Sequence, residues 1–593
     1  MNSPLRKILM VSLGAILLAG CASIDTTIKK DWSAEVGSVD KAVTDPNGKA
    51  IVLHKPEGFM KKGGLVVLDG ETGHPLAHED IAAASLMDEG FYIGDTKLSD
   101  IKGKDYDFYY LPDFDLLLVM NSSVSNTEIH CVDLTSGKNL WTTTDLRWSL
   151  ENFAGIGKAV AKGVANSLGF GAGLATNAAS SELTRPQALS RLIIPVPELH
   201  AFLFKTLGEL NLIEARTGKI LWTAENVPGS GFTHMRYVPE TNDLLLITMS
   251  TSLINSESAV NKLVRINAEN GKVLWTVDYA GRDDMIQGLY HQGNYVLLSY
   301  QGGMGEVINY ETGKEVLKTK DDMENSLGKL FKNSIINQKM NAAPVFLKDA
   351  VCAAQISDVK VVGYPDWVVQ KFNLRSGKMI WESTPLQSKP FVSNLQIDGG
   401  LVVVTSPRGD HQILALDAES GKTVWDFSPD GTVLTNVLAE NGRLYAGTEK
   451  TLFQIDIRSG KVLKKVDFGA NGIGKPRQIQ KEGGELAVIS GSGVAYYSSP
   501  AMNRTKVLEF PMSQSHSKIE GNELVTYMFS WGKYKGLALV DLPDKTIDGY
   551  LKFQDDMKNV PDHPQLLRNG FYVTHTGDAV FVLNDGTLVR YAL

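Results

Sequence analysis

Eight segments of the chain share one turn-forming frame, and that repetition constrains the fold more than any other feature. Each has an apolar run, an Asp, Asn or Glu, two intervening residues, a small or polar residue, Gly, usually Lys, and a further apolar pair. The Gly positions are Gly73, Gly137, Gly218, Gly271, Gly313, Gly377, Gly421 and Gly460, and an acid or amide stands four residues before every one. Trp stands four residues after five of them, at Trp141, Trp222, Trp275, Trp381 and Trp425, which is more than half of the nine tryptophans present. The chemistry is that of a β-hairpin. An Asp or Asn side chain accepts hydrogen bonds from backbone N–H groups just beyond it and starts a turn. Gly takes the left-handed position that such loops require. A Trp on the strand that follows offers roughly 150–250 Å² for burial against a neighbouring unit.

Clean spacings of 42 residues (Gly271 to Gly313), 44 (Gly377 to Gly421) and 39 (Gly421 to Gly460) suit one four-stranded propeller blade each. Gaps of 64 and 81 residues then carry insertions. Weaker units at 494–510 and 536–551 keep the strand–turn–strand rhythm, and 578–593 resembles a closing hairpin. The expectation is an all-β propeller over residues 46–593, with eight clear blades and up to ten or eleven units. One ring and two rings are both compatible with the count.

The first twenty residues read as a lipoprotein signal peptide. Arg6 and Lys7 precede an apolar run from Ile8 to Ala19, too short for a permanent span of about 20 residues, and the run ends in Leu18-Ala19-Gly20-Cys21. Small residues before a cysteine suit lipidation of Cys21 and cleavage at its amino side. Residues 21–45 then form a lipid-anchored linker. Ala22 and Ser23 follow, and no Asp holds the second position, a pattern that resembles sorting to the periplasmic face of the outer membrane. Cys131 and Cys352 remain, in units about four apart, too distant to bridge and therefore expected as buried free thiols.

The frame Asp-x-x-Ser-Gly-Lys-x-x-Trp, as in Asp133 to Trp141 and Asp417 to Trp425, resembles the repeat of pyrroloquinoline-quinone-type propellers over about residues 60 to 465. With the Cys21 motif, the chain is similar to the BamB-type lipoproteins of the outer-membrane β-barrel assembly machinery. That resemblance implies a non-enzymatic, lipid-anchored scaffold of eight blades; this chain is longer and carries an insert. Quinone-dependent dehydrogenases share the repeat. In them the resemblance implies a quinone with Ca²⁺ and a disulfide of adjacent cysteines, and no adjacent pair or haem-attachment motif occurs here.

The insert, 149–184, is rich in Gly and Ala. Phe153, Ile156, Val160, Val164 and Leu168 recur at helical spacing with Lys158 and Lys162 on another face. Two readings stay open: a small helix that touches a membrane or partner, and an excursion that folds back on its own propeller. The net charge of −8, with Lys and Arg dispersed, excludes a nucleic-acid footprint. The eleven histidines form no metal-ligand spacing. The pairs Asp283-Asp284, Asp321-Asp322 and Asp555-Asp556 read as solvated loop ends. No catalytic, cofactor or metal site is expected. The expected function is a periplasmic, lipid-anchored scaffold for envelope or outer-membrane proteins; the alternatives are the dehydrogenase and a surface-exposed ligand-binding lipoprotein.

Overall fold

The structure, a computed structural model, describes the strands and tight turns between residues 29 and 592. Residues 1–28, 55–64, 80–90, 98–105, 147–191, 250–261, 319–341, 553–571 and several shorter loop stretches lie outside the described residues. The described chain forms eleven antiparallel sheets, ten of four strands and one of six. This is an all-β propeller fold, and the sheets are numbered here as blades 1 to 11 in chain order.

The chain divides into two compact units. Residues 39–396 with 418–422 hold blades 1 to 6, spanning 41–97, 106–143, 193–225, 231–278, 286–318 and 345–382. The other unit, residues 1–38, 397–417 and 423–593, holds most of blade 7 (394–427) and blades 8 to 11, at 438–467, 476–509, 513–552 and 572–592. Within each unit the apolar clusters lie between consecutive blades. One joins Leu116, Leu118 and Met120 of blade 2 to Phe202 and Phe204 of blade 3. Another joins Leu444 and Ile455 of blade 8 to Val403 and Ala415 of blade 7. The second strand of each blade packs on both faces, which explains continuous apolar runs such as Leu244–Ile247 and Val402–Val404 where a half-exposed strand would alternate. A hydroxyl closes several of these strands: Thr206, Thr248, Thr448 and Ser490 each donate to the carbonyl that starts the next strand.

The repeated frame folds as one hairpin. In blade 5 the Asn309 carboxamide accepts from the Thr312 N–H at 2.9 Å, Gly313 N–H donates to the Asn309 carbonyl at 2.9 Å, and Asn309 N–H donates to the Lys314 carbonyl at 2.8 Å. Asp69, Asn373 and Asp456 repeat these bonds. A one-residue bulge then interrupts the outer strand. Leu212 pairs with Trp222 and Ile213 with Ile220, so Leu221 is left over, 42% exposed. Leu140, Leu274, Ile380, Val424 and Leu463 hold the same bulged, exposed place in their blades.

Two features depart from the sequence reading. The segment 21–45 is not all linker, because Lys29–Glu35 forms the outermost strand of blade 11 and Lys41–Thr44 opens blade 1. Blade 1 also extends beyond its four strands, with Phe91–Ile93 and Thr96–Lys97 added at its outer edge. The helical insert at 149–184 and the three Asp pairs lie outside the described residues. Cys131 in blade 2 and Cys352 in blade 6 are buried free thiols.

Candidate functional site

What can hold a partner here is built on what holds the blades together, and the tryptophans do much of that. Trp141, Trp222, Trp275, Trp381 and Trp425 each donate Nε1–H to a turn carbonyl of the following blade, on Ala215, Ala268, Tyr310, Ala418 and Ile457, at 2.7–3.1 Å. Each indole lies against the glycine of that same turn. A Cβ on Gly218, Gly271, Gly313, Gly421 or Gly460 would stand 2.4–2.7 Å from the indole of Trp141, Trp222, Trp275, Trp381 or Trp425 respectively. The glycine therefore answers two demands, a positive φ and a flat seat for the neighbour's ring. Gly137 lies outside the described residues.

A second line of contacts runs beside the first and leaves no obvious mark in the sequence. The residue six before the glycine sits directly across the hairpin from the Trp. Where that residue is polar, it reaches the same acceptor. Arg265 Nη1 joins Trp275 on the Tyr310 carbonyl at 2.7 Å, and Lys371 Nζ joins Trp381 on the Ala418 carbonyl at 2.6 Å. The Cys131 thiol lies 3.6 Å from the Ala215 carbonyl, and burial raises its pKa far above the usual thiol range.

Arg265 anchors a buried polar network between blades 4 and 5. Its Nε and Nη2 donate to Asp243 Oδ2 at 2.9 and 2.6 Å, and both side chains are almost fully buried. The Tyr310 hydroxyl donates to the same oxygen at 2.8 Å, and Thr241 bonds the hydroxyl as well. Burial, with the Asp243 carboxylate beside it, pushes the Tyr310 pKa up to about 12. The Arg265 guanidinium lies 3.7 Å over the Tyr310 ring, and the His291 ring lies 4.5 Å from it at 49°. Burial lowers the His291 pKa, so the imidazole is neutral near pH 7.

Above this network opens a cleft of ≈ 520 Å³, walled by the turns 236–241 and 291–294 and by Tyr310 and Glu311. Arg236, Glu240 and Glu311 stand exposed at its rim, while Tyr237 and Val238 supply an apolar wall. Three turns on rigid hairpins position these groups, so the cleft needs little ordering to receive a polar chain. Its chemistry is that of recognition: both signs of charge at the mouth, aromatic rings at the base, and its buried charges already paired. The sequence gives no spacing that marks it, because its residues come from three separate turns.

The model for the family described as outer membrane protein assembly factor BamB matches residues 125–362 and 365–499, well over half of the chain. The chain belongs to the BamB family. BamB from Moraxella catarrhalis is a structural relative at 11% identity and TM-score 0.29, covering 68% of this chain and 96% of that one. The computationally designed Ika8 protein aligns at 14% identity and TM-score 0.34, over 63% and 99%. Sqt1 of Saccharomyces cerevisiae aligns at 10% identity and TM-score 0.33, over 60% and 95%. No curated protein matches the chain. Membership of the BamB family supports a protein-interaction scaffold role.

Proposed function

We propose that this protein is a non-enzymatic scaffold, lipid-anchored through Cys21 at the periplasmic face of the outer membrane, that binds proteins during envelope or outer-membrane assembly. The observation that carries the reading is the BamB family match over 125–362 and 365–499. The cleft between blades 4 and 5 suits an extended polar chain, since its rim offers Arg236, Glu240 and Glu311 beside the Tyr237 ring. Outer strands offer a second mode. Blade 1 already carries a two-stranded addition at its outer edge, so pairing of an incoming strand to such an edge has a precedent inside the molecule. Phe153, Ile156, Val160, Val164 and Leu168 are proposed as a further membrane or partner contact.

A photo-crosslinking residue in place of Glu240, in the full-length protein in intact cells, tests the reading. The expected result is a discrete adduct with a periplasmic or outer-membrane protein. Absence of any envelope adduct, with the protein folded and abundant, contradicts it.

A further inference from the structure

The chain's first described strand, Lys29–Glu35, is the outermost strand of blade 11, antiparallel to Thr587–Ala592. Register places Lys29 opposite Ala592 and Glu35 opposite Thr587. The strand is held along its length. Trp32 packs on Phe581 at 6.0 Å between ring centres, Asp31 pairs with Arg590, and the Val36 and Gly37 N–H groups both donate to the Gly586 carbonyl. Drawing it away would remove an edge of blade 11. The tether from Cys21 therefore ends at Lys29, eight residue steps on, and not near residue 45.

Covalent geometry then sets a limit. An extended chain spans at most about 3.5 Å per residue, so eight steps reach no further than about 28 Å. Glu35 stands six residues further along an extended strand, about 20 Å from Lys29. Charge runs the same way: Lys29 and Lys30 stand at the near end, with Lys30 exposed, and the exposed Glu35 closes the far end. Basic residues beside a membrane are drawn to anionic headgroups.

Resting on the proposed acylation of Cys21, we propose that the Lys29 end of blade 11's outer edge is apposed to a lipid surface, with the strand leading away from that surface toward Glu35. The partner of this surface is an anionic bilayer.

Fluorescence quenching by headgroup-nitroxide lipids tests it, with the acylated full-length protein in vesicles containing phosphatidylglycerol. A thiol-reactive fluorophore is placed at Ala592→Cys or at Thr587→Cys. The native Cys131 and Cys352 are buried, and burial raises both thiol pKa values, that of Cys352 to about 12, so the introduced thiols label selectively. Quenching several-fold stronger at position 592 than at 587 is expected, and a long Gly/Ser insertion between Cys21 and Lys29 should weaken it. Equal quenching at the two positions, with Cys21 shown acylated by mass spectrometry, overturns the inference. A Cys21 without lipid in that mass spectrum overturns the anchoring reading beneath it.

Discussion

The junctions from blade 4 to blade 5 and from blade 8 to blade 9 meet the same geometric need with different chemistry. In the first, Trp275 and Arg265 both donate to the Tyr310 carbonyl, and the turn they meet carries Gly313 at φ 67 under the indole. In the second, Lys464 stands where the Trp would be and donates to the Ala501 carbonyl, while Gln454 across the hairpin donates to Pro500 O at 2.7 Å. The glycine position there is Met502, at φ 51, with its N–H on the Ser498 carbonyl as in the turns at Gly73, Gly218, Gly271, Gly313, Gly377 and Gly460. Blade 10 repeats the substitution: Lys545 at φ 58 holds the glycine position, and Lys506 holds the Trp position in the blade before it. In each Trp junction resolved on both sides, the receiving turn has glycine. Both residues with a Cβ at that place follow a lysine. The backbone conformation alone does not demand glycine here. At the five Trp junctions the ring resting on it does, and at Gly377 the Val316 carbonyl of the preceding blade takes that place.

Several variants sharpen or break this contrast. The largest effect belongs to the first junction: Asp243→Ala leaves Arg265 buried without its carboxylate and should cost about 3–5 kcal/mol in denaturant unfolding. Lys464→Met at the second junction should cost no more than about 1 kcal/mol, because the ammonium is partly solvated. A similar cost for the two would erase the distinction between a buried and a solvated lock. Trp222→Ala, at a ring 7% exposed, should cost about 3–5 kcal/mol. Lys545→Gly should change stability by less than about 1 kcal/mol, since relief of the positive φ offsets loss of the pairing with Glu485.

The smallest effect is a pH dependence at the first junction. Burial holds the folded His291 pKa below its ordinary value of 6.5, with Glu240 opposing and Arg236 and Arg265 reinforcing the shift. A depressed pKa gives stability that is present above 6.5 and is lost as pH falls through 6.5 toward the folded value. Unfolding measured on both sides of that value should show a loss that His291→Asn removes.

The blades were legible because their signal is local. Asp, two residues, Ser or Thr, and Gly specify one hairpin within a few positions, and Trp adds the docking ring on the strand after it. Blades 9 to 11 were fainter because Met502 and Lys545 replace the glycines and no Trp precedes them. The membership of Lys29–Glu35 in blade 11 was hidden, since its partner Thr587–Ala592 lies at the other end of the sequence. The cleft was hidden for the same reason: Arg236, His291 and Glu311 meet only through the pairing of blades 4 and 5. The polar line of Arg265, Lys371 and Gln454 was present at a fixed offset from each glycine, but apolar residues such as Leu212 and Ala415 alternate with it and mask the pattern.

The coupling between ring and glycine is tested most directly by a double-mutant cycle on Trp222 and Gly271, where an added Cβ would lie 2.5 Å from the indole. In the unaltered background Gly271→Ala should cost about 3–5 kcal/mol, combining the positive φ with a displaced ring. In the Trp222→Ala background it should cost only about 1–2 kcal/mol, the share due to φ. A coupling of about 2 kcal/mol is the predicted result. Additivity within about 0.5 kcal/mol would contradict the account, because it would mean that the glycine serves its own turn and not the neighbouring blade.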